Sequence, residues 1–208
     1  MKIGIDIDEG VTKYIESFLE FLKSEKNIFI NYSEILNYHQ VGASVKINNE
    51  QMHKFIYEHT NQEGVLLNLE LCAGAFDSIN FLDEIHEIFF VTFRHISNKD
   101  SPTKFFKKYF PNKDFKIIFS GDAWGGAKTK SEICKEKGIF LLIEDNLNYA
   151  LECAFNGIQV ILFDKPWNQE KDLPPNIFRV NGWKDALEKM KDMGVICGGD
   201  KDGRTKIF

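Results

Sequence analysis

Apolar residues alternate at Ile3, Ile5 and Ile7, so the chain opens on a strand with a buried face. That strand ends in Asp6, Asp8 and Glu9. Beyond the acids, Val11, Tyr14, Ile15, Phe18, Leu19 and Leu22 fall at helical spacing, which predicts an amphipathic helix from Val11 to about Lys23. From Ser24 the pattern weakens into aromatic clusters (Phe29, Tyr32, Tyr38), Gly42 and polar turns, followed by a helix around Glu50 to His59. No strand alternation of any length interrupts it, so Ser24 to about Leu71 reads as a small, mostly helical insertion; two ordinary connecting helices are the alternative.

At Gly74 the texture changes. Phe76, Ile79, Leu82 and Ile85 fit a helix, and Glu87 to Thr92 is an apolar strand run. The unit recurs: Lys104 to Tyr109 precedes the strand Phe115 to Phe119, Lys130 to Lys137 precedes Ile139 to Ile143, and Leu147 to Phe155 precedes Ile158 to Phe163. Strands alternating with helices in this way imply right-handed crossovers and a parallel sheet. With the opening strand the expectation is α/β: a doubly wound, five-stranded parallel sheet with helices on both faces. Residues 1–10 and 75–208 would form the core, with residues 11–74 as a helical cap inserted after the first strand. A last helix is expected from Trp183 to Met193, and the Gly198-Gly199 pair beyond it lacks the strand and helix that a phosphate loop needs.

In such sheets ligands bind outside the carboxyl ends of the strands. The residues just past those ends are Asp6 and Asp8, Thr92 with Arg94, Ser120 to Trp124, Glu144 with Asp145, and Asp164 to Trp167. Crowded carboxylates repel one another and lose hydration, so they need a cation, a partner or a raised pKa. A divalent metal with oxygen ligands, such as Mg²⁺, is the simplest remedy, and a solvated acidic turn is the alternative for the first segment alone.

Composition narrows the partners. A length of 208 residues with 43% hydrophobic and 27% charged positions suits one core domain with a modest insertion. A net charge of -5 argues against a nucleic-acid polymer or an anionic membrane surface as partner, while leaving room for a small phosphorylated substrate in a locally cationic pocket. Cys72, Cys134, Cys153 and Cys197 lack C-x-x-C or zinc spacing and read as reduced thiols. The first strand starts at once and no apolar run approaches the length of a membrane span, so a soluble cytoplasmic protein is expected, with a homodimer left open.

Asp6-Ile7-Asp8 after a first strand, Thr92 ending a second, Lys130 opening a later helix and Glu144-Asp145 ending the fourth resemble the four motifs of the haloacid dehalogenase-like phosphohydrolases. The stretch Ile143 to Asn146, with Val160 to Asn168 containing Pro166-Trp167-Asn168, resembles the 5'(3')-deoxyribonucleotidase branch and its bacterial relatives. The resemblance implies a Mg²⁺-dependent phosphomonoesterase for a nucleoside monophosphate. Asp6 would be the nucleophile, forming an aspartyl-phosphate, and Asp8 the general acid and base. Thr92 and Lys130 would bind the phosphoryl group. Mg²⁺ would lie among the Asp6 carboxylate, the Asp8 carbonyl and Asp145, with Glu144 supporting those ligands.

Each residue also has a plainer use. Asp8 and Glu9, or Glu144 and Asp145, could cap the helices that follow them; Lys128 rivals Lys130; Arg94 could meet either substrate phosphate or an acid of the site. Trp167 and Asn168 would shape the rim and pack the last helix, and Asp122 has no derivable role. Gly10 stands where the family usually has Thr or Val, which would loosen the turn holding Asp8, and Phe93 follows Thr92 where a small residue is common. Gly10 keeps in view a binding or regulatory module that hydrolyses nothing, and the lack of a base-recognition motif in Ser24 to Leu71 keeps in view a phosphatase for another small metabolite.

Overall fold

The computed structural model describes residues 1–36, 45, 47–62, 64–94, 99–120 and 128–196. Its strands are β1 (Lys2–Ile5), β2 (Glu87–Thr92), β3 (Lys116–Phe119), β4 (Leu141–Glu144), β5 (Gln159–Phe163) and β6 (Ile177–Val180). They form one parallel sheet in the order β3-β2-β1-β4-β5-β6. The sheet therefore has six strands rather than the five expected. The sixth escapes a pattern search because it carries Arg179 within its apolar run and follows Pro174-Pro175.

The helices are α1 (Tyr14–Lys26), α2 (Asn49–Asn61), α3 (Val65–Asn68), α4 (Ala75–Ile85), α5 (Asp100–Tyr109), α6 (Lys130–Lys137), α7 (Leu147–Phe155) and α8 (Trp183–Asp192). α1 starts three residues later than its apolar spacing suggested. Val11 and Thr12 are tied into the preceding turn, both donating their backbone N–H to the carbonyl of Ile7. Between β1 and α4 the described residues form helices α1 to α3 and a 3₁₀ turn at Tyr32–Glu34, with no strand.

Alternation along the strands builds two cores. Ile3, Ile5, Ile88, Phe90, Ile143 and Phe163 face one side and share an apolar cluster with Phe18 of α1, Ile79 of α4, Phe105 of α5 and Trp183 of α8. Phe89, Val91, Leu142, Val160 and Leu162 face the other, against Ile133 of α6 and Ala150 of α7. Gly4 of β1 lies on that second side, where an added Cβ would come within 3.0 Å of Leu142. The abundance of Phe finds its use in packing. Phe90 stacks on Phe106 at 3.9 Å, and Phe106, Phe110 and Phe115 meet edge to face or tilted, fastening α5 to the strands whose ends carry Thr92 and Ser120. Each such ring contributes about 1.5–3 kcal/mol by leaving water.

α2 lies on α1 through His59. Its ring sits 5.4 Å from Tyr14, 5.5 Å from Phe18 and 5.1 Å from Phe21. Nε2 meets the Ser17 hydroxyl at 3.2 Å, while Nδ1 has no hydrogen-bond partner among the described residues. Burial, with help from Arg94, pushes the His59 pKa down from 6.5 to about 4. Below pH 6.5 the unfolded chain takes up a proton at this ring that the folded chain refuses, so the contribution of His59 to stability falls as pH drops from 6.5 to 4. The full shift corresponds to on the order of 3 kcal/mol. Because the raised Asp6 and Asp145 act in the opposite sense over this range, the loss is read as a difference: the melting temperature of His59→Leu should rise relative to that of the wild type as pH falls from 6.5 to 4, and a constant difference would show that His59 contributes no such loss.

Candidate functional site

β1 and β4 are neighbours in register, with Ile5 opposite Ile143. Each strand then delivers an acid one residue further on. Asp6 continues the ladder by donating its N–H to the Ile143 carbonyl at 2.9 Å, and alternation turns Asp6 and Glu144 toward the side covered by α6 and α7. There Lys130 stands between them. Its Nζ is 2.6 Å from Asp6 Oδ1 and 2.7 Å from Glu144 Oε2, and all three side chains are buried. The ring of Tyr149 lies 4.7 Å from the same ammonium.

Lys130 reaches this place because of how α6 begins. The Thr129 hydroxyl accepts from the N–H of Glu132, and the Glu132 carboxylate accepts from the N–H of Thr129. This reciprocal cap fixes Lys130 as the first helical residue. Lys128, the rival cation, is exposed and pairs with Glu136 on the surface.

Asp6, Glu144 and Asp145 each bring a carboxylate oxygen within 4.8 Å of the others. Burial, with Glu144 and Asp8 nearby, raises the Asp6 pKa from 3.8 to about 8 despite Lys130. Asp145 is likewise raised, by burial and then by Glu144 and Asp6. Lys130 moves up as well, because the two acids outweigh the burial that opposes its charge. The neighbouring acids have their own cations: Asp8 has Arg94, and Glu9 has Lys165. Three carboxylates thus share one ammonium, leaving the fully ionised cluster two positive charges short. A divalent cation that takes oxygen ligands supplies that charge, so the donor set fits Mg²⁺.

The remaining predicted residues fall around this cluster. Arg94 grips Asp8 with Nε at 3.0 Å and Nη2 at 2.7 Å, a bidentate pair, so of the two uses open to it the structure shows contact with an acid of the site. Thr92 is fully buried; its Oγ1 accepts from the Arg94 N–H at 3.2 Å, which directs the hydroxyl hydrogen elsewhere. Ser120 closes the adjacent strand end, donating N–H and Oγ–H to the Thr92 carbonyl at 2.8 and 3.1 Å. Asp122 lies outside the described residues.

The capping alternatives fare unevenly. Asn146, not an acid, caps α7 by accepting from the Asn148 N–H at 3.0 Å. Glu144 Oε1 accepts from the N–H groups of Asp145 and Asn146, holding the turn behind the cluster. Glu9 does take the N–H of Ile15 at 2.8 Å. It sits at φ 60°, a left-handed conformation uncommon for a residue with a side chain, and also accepts from the Tyr32 hydroxyl and Lys165.

Gly10 acts opposite to the expected loosening. A Cβ there would lie 2.3 Å from the Asp6 carbonyl oxygen, so only glycine lets the turn fold back so tightly on the residue carrying the nucleophile candidate. The Gly10 carbonyl is held in turn by the Trp183 indole at 2.9 Å. Gly10→Ala should force backbone apart beneath Asp6 and cost about 1–3 kcal/mol, read as a lower melting temperature. An unchanged melting temperature would show that the turn has slack.

Sequence reasoning missed the pairing of Glu9 with Lys165 and the part played by Trp167 and Asn168. Trp167 does not merely shape a rim: its indole Nε1 donates to Asp145 Oδ2 at 2.9 Å. Asn168 Nδ2 donates to the carbonyls of Asp145 and Phe163, each at 2.7 Å. The available signal was the Pro at the head of a Pro-Trp-Asn run immediately after a buried strand, which marks a tight 3₁₀ turn at a sheet edge.

Neither a family model nor a curated protein matches the sequence. Solved structures do. A haloacid dehalogenase-like family hydrolase from Streptococcus pneumoniae superposes with a TM-score of 0.63 at 13% identity, over 91% of this chain and 97% of that one. This chain has the haloacid dehalogenase-like fold. The YfnB hydrolase of Bacillus subtilis, solved with magnesium, shares the haloacid dehalogenase-like fold at a TM-score of 0.56 and 17% identity, covering 91% of this chain and 97% of its own. A hydrolase from Deinococcus radiodurans, solved with phosphate and sodium, matches at a TM-score of 0.61 and 11% identity, over 95% of this chain and 98% of that chain. In that fold the cluster occupies the carboxyl edge of the central strands. Among the described residues, no helix is long and apolar enough to cross a membrane.

Proposed function

We propose that the protein is a Mg²⁺-dependent phosphomonoesterase for nucleoside monophosphates. The observation that carries this reading is the Lys130 ammonium bridging Asp6 and Glu144 beside Asp145, a cluster two positive charges short at the carboxyl edge of the sheet. An Asp6 oxygen attacks phosphorus in line, the bond to the ester oxygen breaks, and Asp8 delivers a proton to that leaving oxygen. Asp8 then removes a proton from water, which attacks the aspartyl-phosphate and releases inorganic phosphate. Lys130 and the Thr92 hydroxyl bind phosphoryl oxygens. A doubly charged phosphate competes with Asp8 for Arg94, freeing the carboxyl to exchange its proton. Asp6, Asp145 and the Asp8 carbonyl, with Glu144 in support, would hold Mg²⁺, which would draw charge from the phosphoryl oxygens when bound.

Residues 1–10 and 75–208 serve as the catalytic core in this reading, with residues 11–74 as the cap that reads the substrate. The nucleotide assignment is supported by the resemblance of the Pro166-Trp167-Asn168 segment to the 5'(3')-deoxyribonucleotidase branch. Hydrolysis of p-nitrophenyl phosphate with and without Mg²⁺ tests the reaction, and a panel of nucleoside monophosphates and sugar phosphates tests the substrate. Preferred turnover of sugar phosphates would replace the nucleotide assignment; no turnover of any ester would overturn the enzyme.

A further inference from the structure

Asp145 is the one acid of the cluster fixed from two directions by a single turn. The 3₁₀ turn Pro166–Asn168 supplies the Trp167 indole to Asp145 Oδ2 at 2.9 Å and the Asn168 amide to its backbone carbonyl at 2.7 Å. The Asn168 side chain is itself anchored, with its amide on the Phe163 carbonyl and its oxygen accepting from the Lys165 N–H at 3.2 Å. An indole N–H can only donate, so it fixes the plane of the carboxyl group and leaves the second oxygen with a set direction.

The same indole touches the inserted segment. Tyr32 packs on Trp167 edge-on, with ring centroids 5.4 Å apart and planes at 63°. The Tyr32 hydroxyl donates to Glu9 Oε2 at 3.2 Å, and Lys165 Nζ reaches the same oxygen at 2.7 Å. Glu9 belongs to the turn that also carries Asp6 and Asp8. The 3₁₀ turn Tyr32–Glu34 therefore rests on both halves of the acid cluster's support.

We propose that Trp167 is a positioning residue for Asp145, and that Tyr32 makes divalent-cation affinity at the cluster depend on how the inserted 3₁₀ turn is seated against the Trp167 indole. This rests on the reading of the cluster as a Mg²⁺ site. Partners that orient a metal-ligating carboxylate are worth 10–100-fold in metal affinity. A plainer role, an indole that fills space and satisfies its own N–H, would cost stability without changing how the cluster binds a cation.

Mn²⁺ binding to the full chain, followed by calorimetry and by electron paramagnetic resonance, separates the two. Trp167→Phe keeps a ring in place and removes the donor; it is expected to weaken Mn²⁺ about tenfold and to shrink the rise in melting temperature that Mn²⁺ produces. Tyr32→Ala is expected to weaken Mn²⁺ severalfold, and the double variant no further than Trp167→Phe alone, since both act through one contact. A Trp167→Phe protein that melts lower without metal yet binds Mn²⁺ as the wild type does would overturn the proposal. Should Trp167→Phe not fold, Tyr32→Ala carries the test, and unchanged affinity there overturns it. Failure of the wild type to bind Mn²⁺ or Mg²⁺ would instead overturn the cation site, and this inference with it.

Discussion

Asp6→Asn is expected to lower phosphomonoester turnover by on the order of three decades or more, about 4 kcal/mol of barrier, while leaving the protein folded. Asparagine matches aspartate in shape but cannot attack phosphorus, so the loss should be in kcat and not be recovered by more Mg²⁺ or more substrate. The fold should survive because the substitution removes a group that the interior holds reluctantly: burial and two neighbouring acids raise Asp6 to about 8. Lys130 keeps Glu144 as a partner at 2.7 Å, so no lone charge is created. The melting temperature in EDTA should accordingly stay level or rise. Near wild-type kcat in the variant at saturating Mg²⁺ would remove Asp6 from the nucleophilic role.

Much of this site could be read before any coordinates, for a physical reason. Alternation locates strand ends, a doubly wound sheet gathers those ends along one edge, and acids such as Asp6 and Glu144 make little sense as core. Lys130 could be favoured over Lys128 because Lys130-Ser131-Glu132-Ile133-Cys134 begins the apolar helix repeat that faces the fourth strand. What stayed hidden depends on contacts between distant segments. The bond from Trp167 to Asp145 spans 22 positions, and that from Lys165 to Glu9 spans 156, with nothing local to announce either. Gly10 was misread because glycine's freedom is visible in a sequence, whereas the carbonyl that excludes a Cβ is not. β6 was missed because Arg179 interrupts its apolar run and Pro174-Pro175 stands where a helix precedes the other late strands.

Lys130→Met should give the largest loss of stability of any single change near the cluster. The side chain is 2% exposed and its ammonium is the only cation in contact with Asp6 and Glu144 among the described residues. Methionine fills similar space, so packing changes little, but the buried acids are left with no counter-charge. Removing one partner of a buried ion pair costs about 3–5 kcal/mol. In a chain of this length that amounts to a fall of about 6–20 °C in melting temperature measured in EDTA. Two further results distinguish lost charge from lost packing. The deficit should be largest above pH 8 and narrow as pH falls through that value, where Asp6 takes up a proton instead of facing its neighbours ionised, and Mg²⁺ should restore part of it by supplying positive charge to the same oxygens. A deficit that stays the same at every pH and in Mg²⁺ would mean that Lys130 serves the packing of α6, and that the cluster is not short of positive charge.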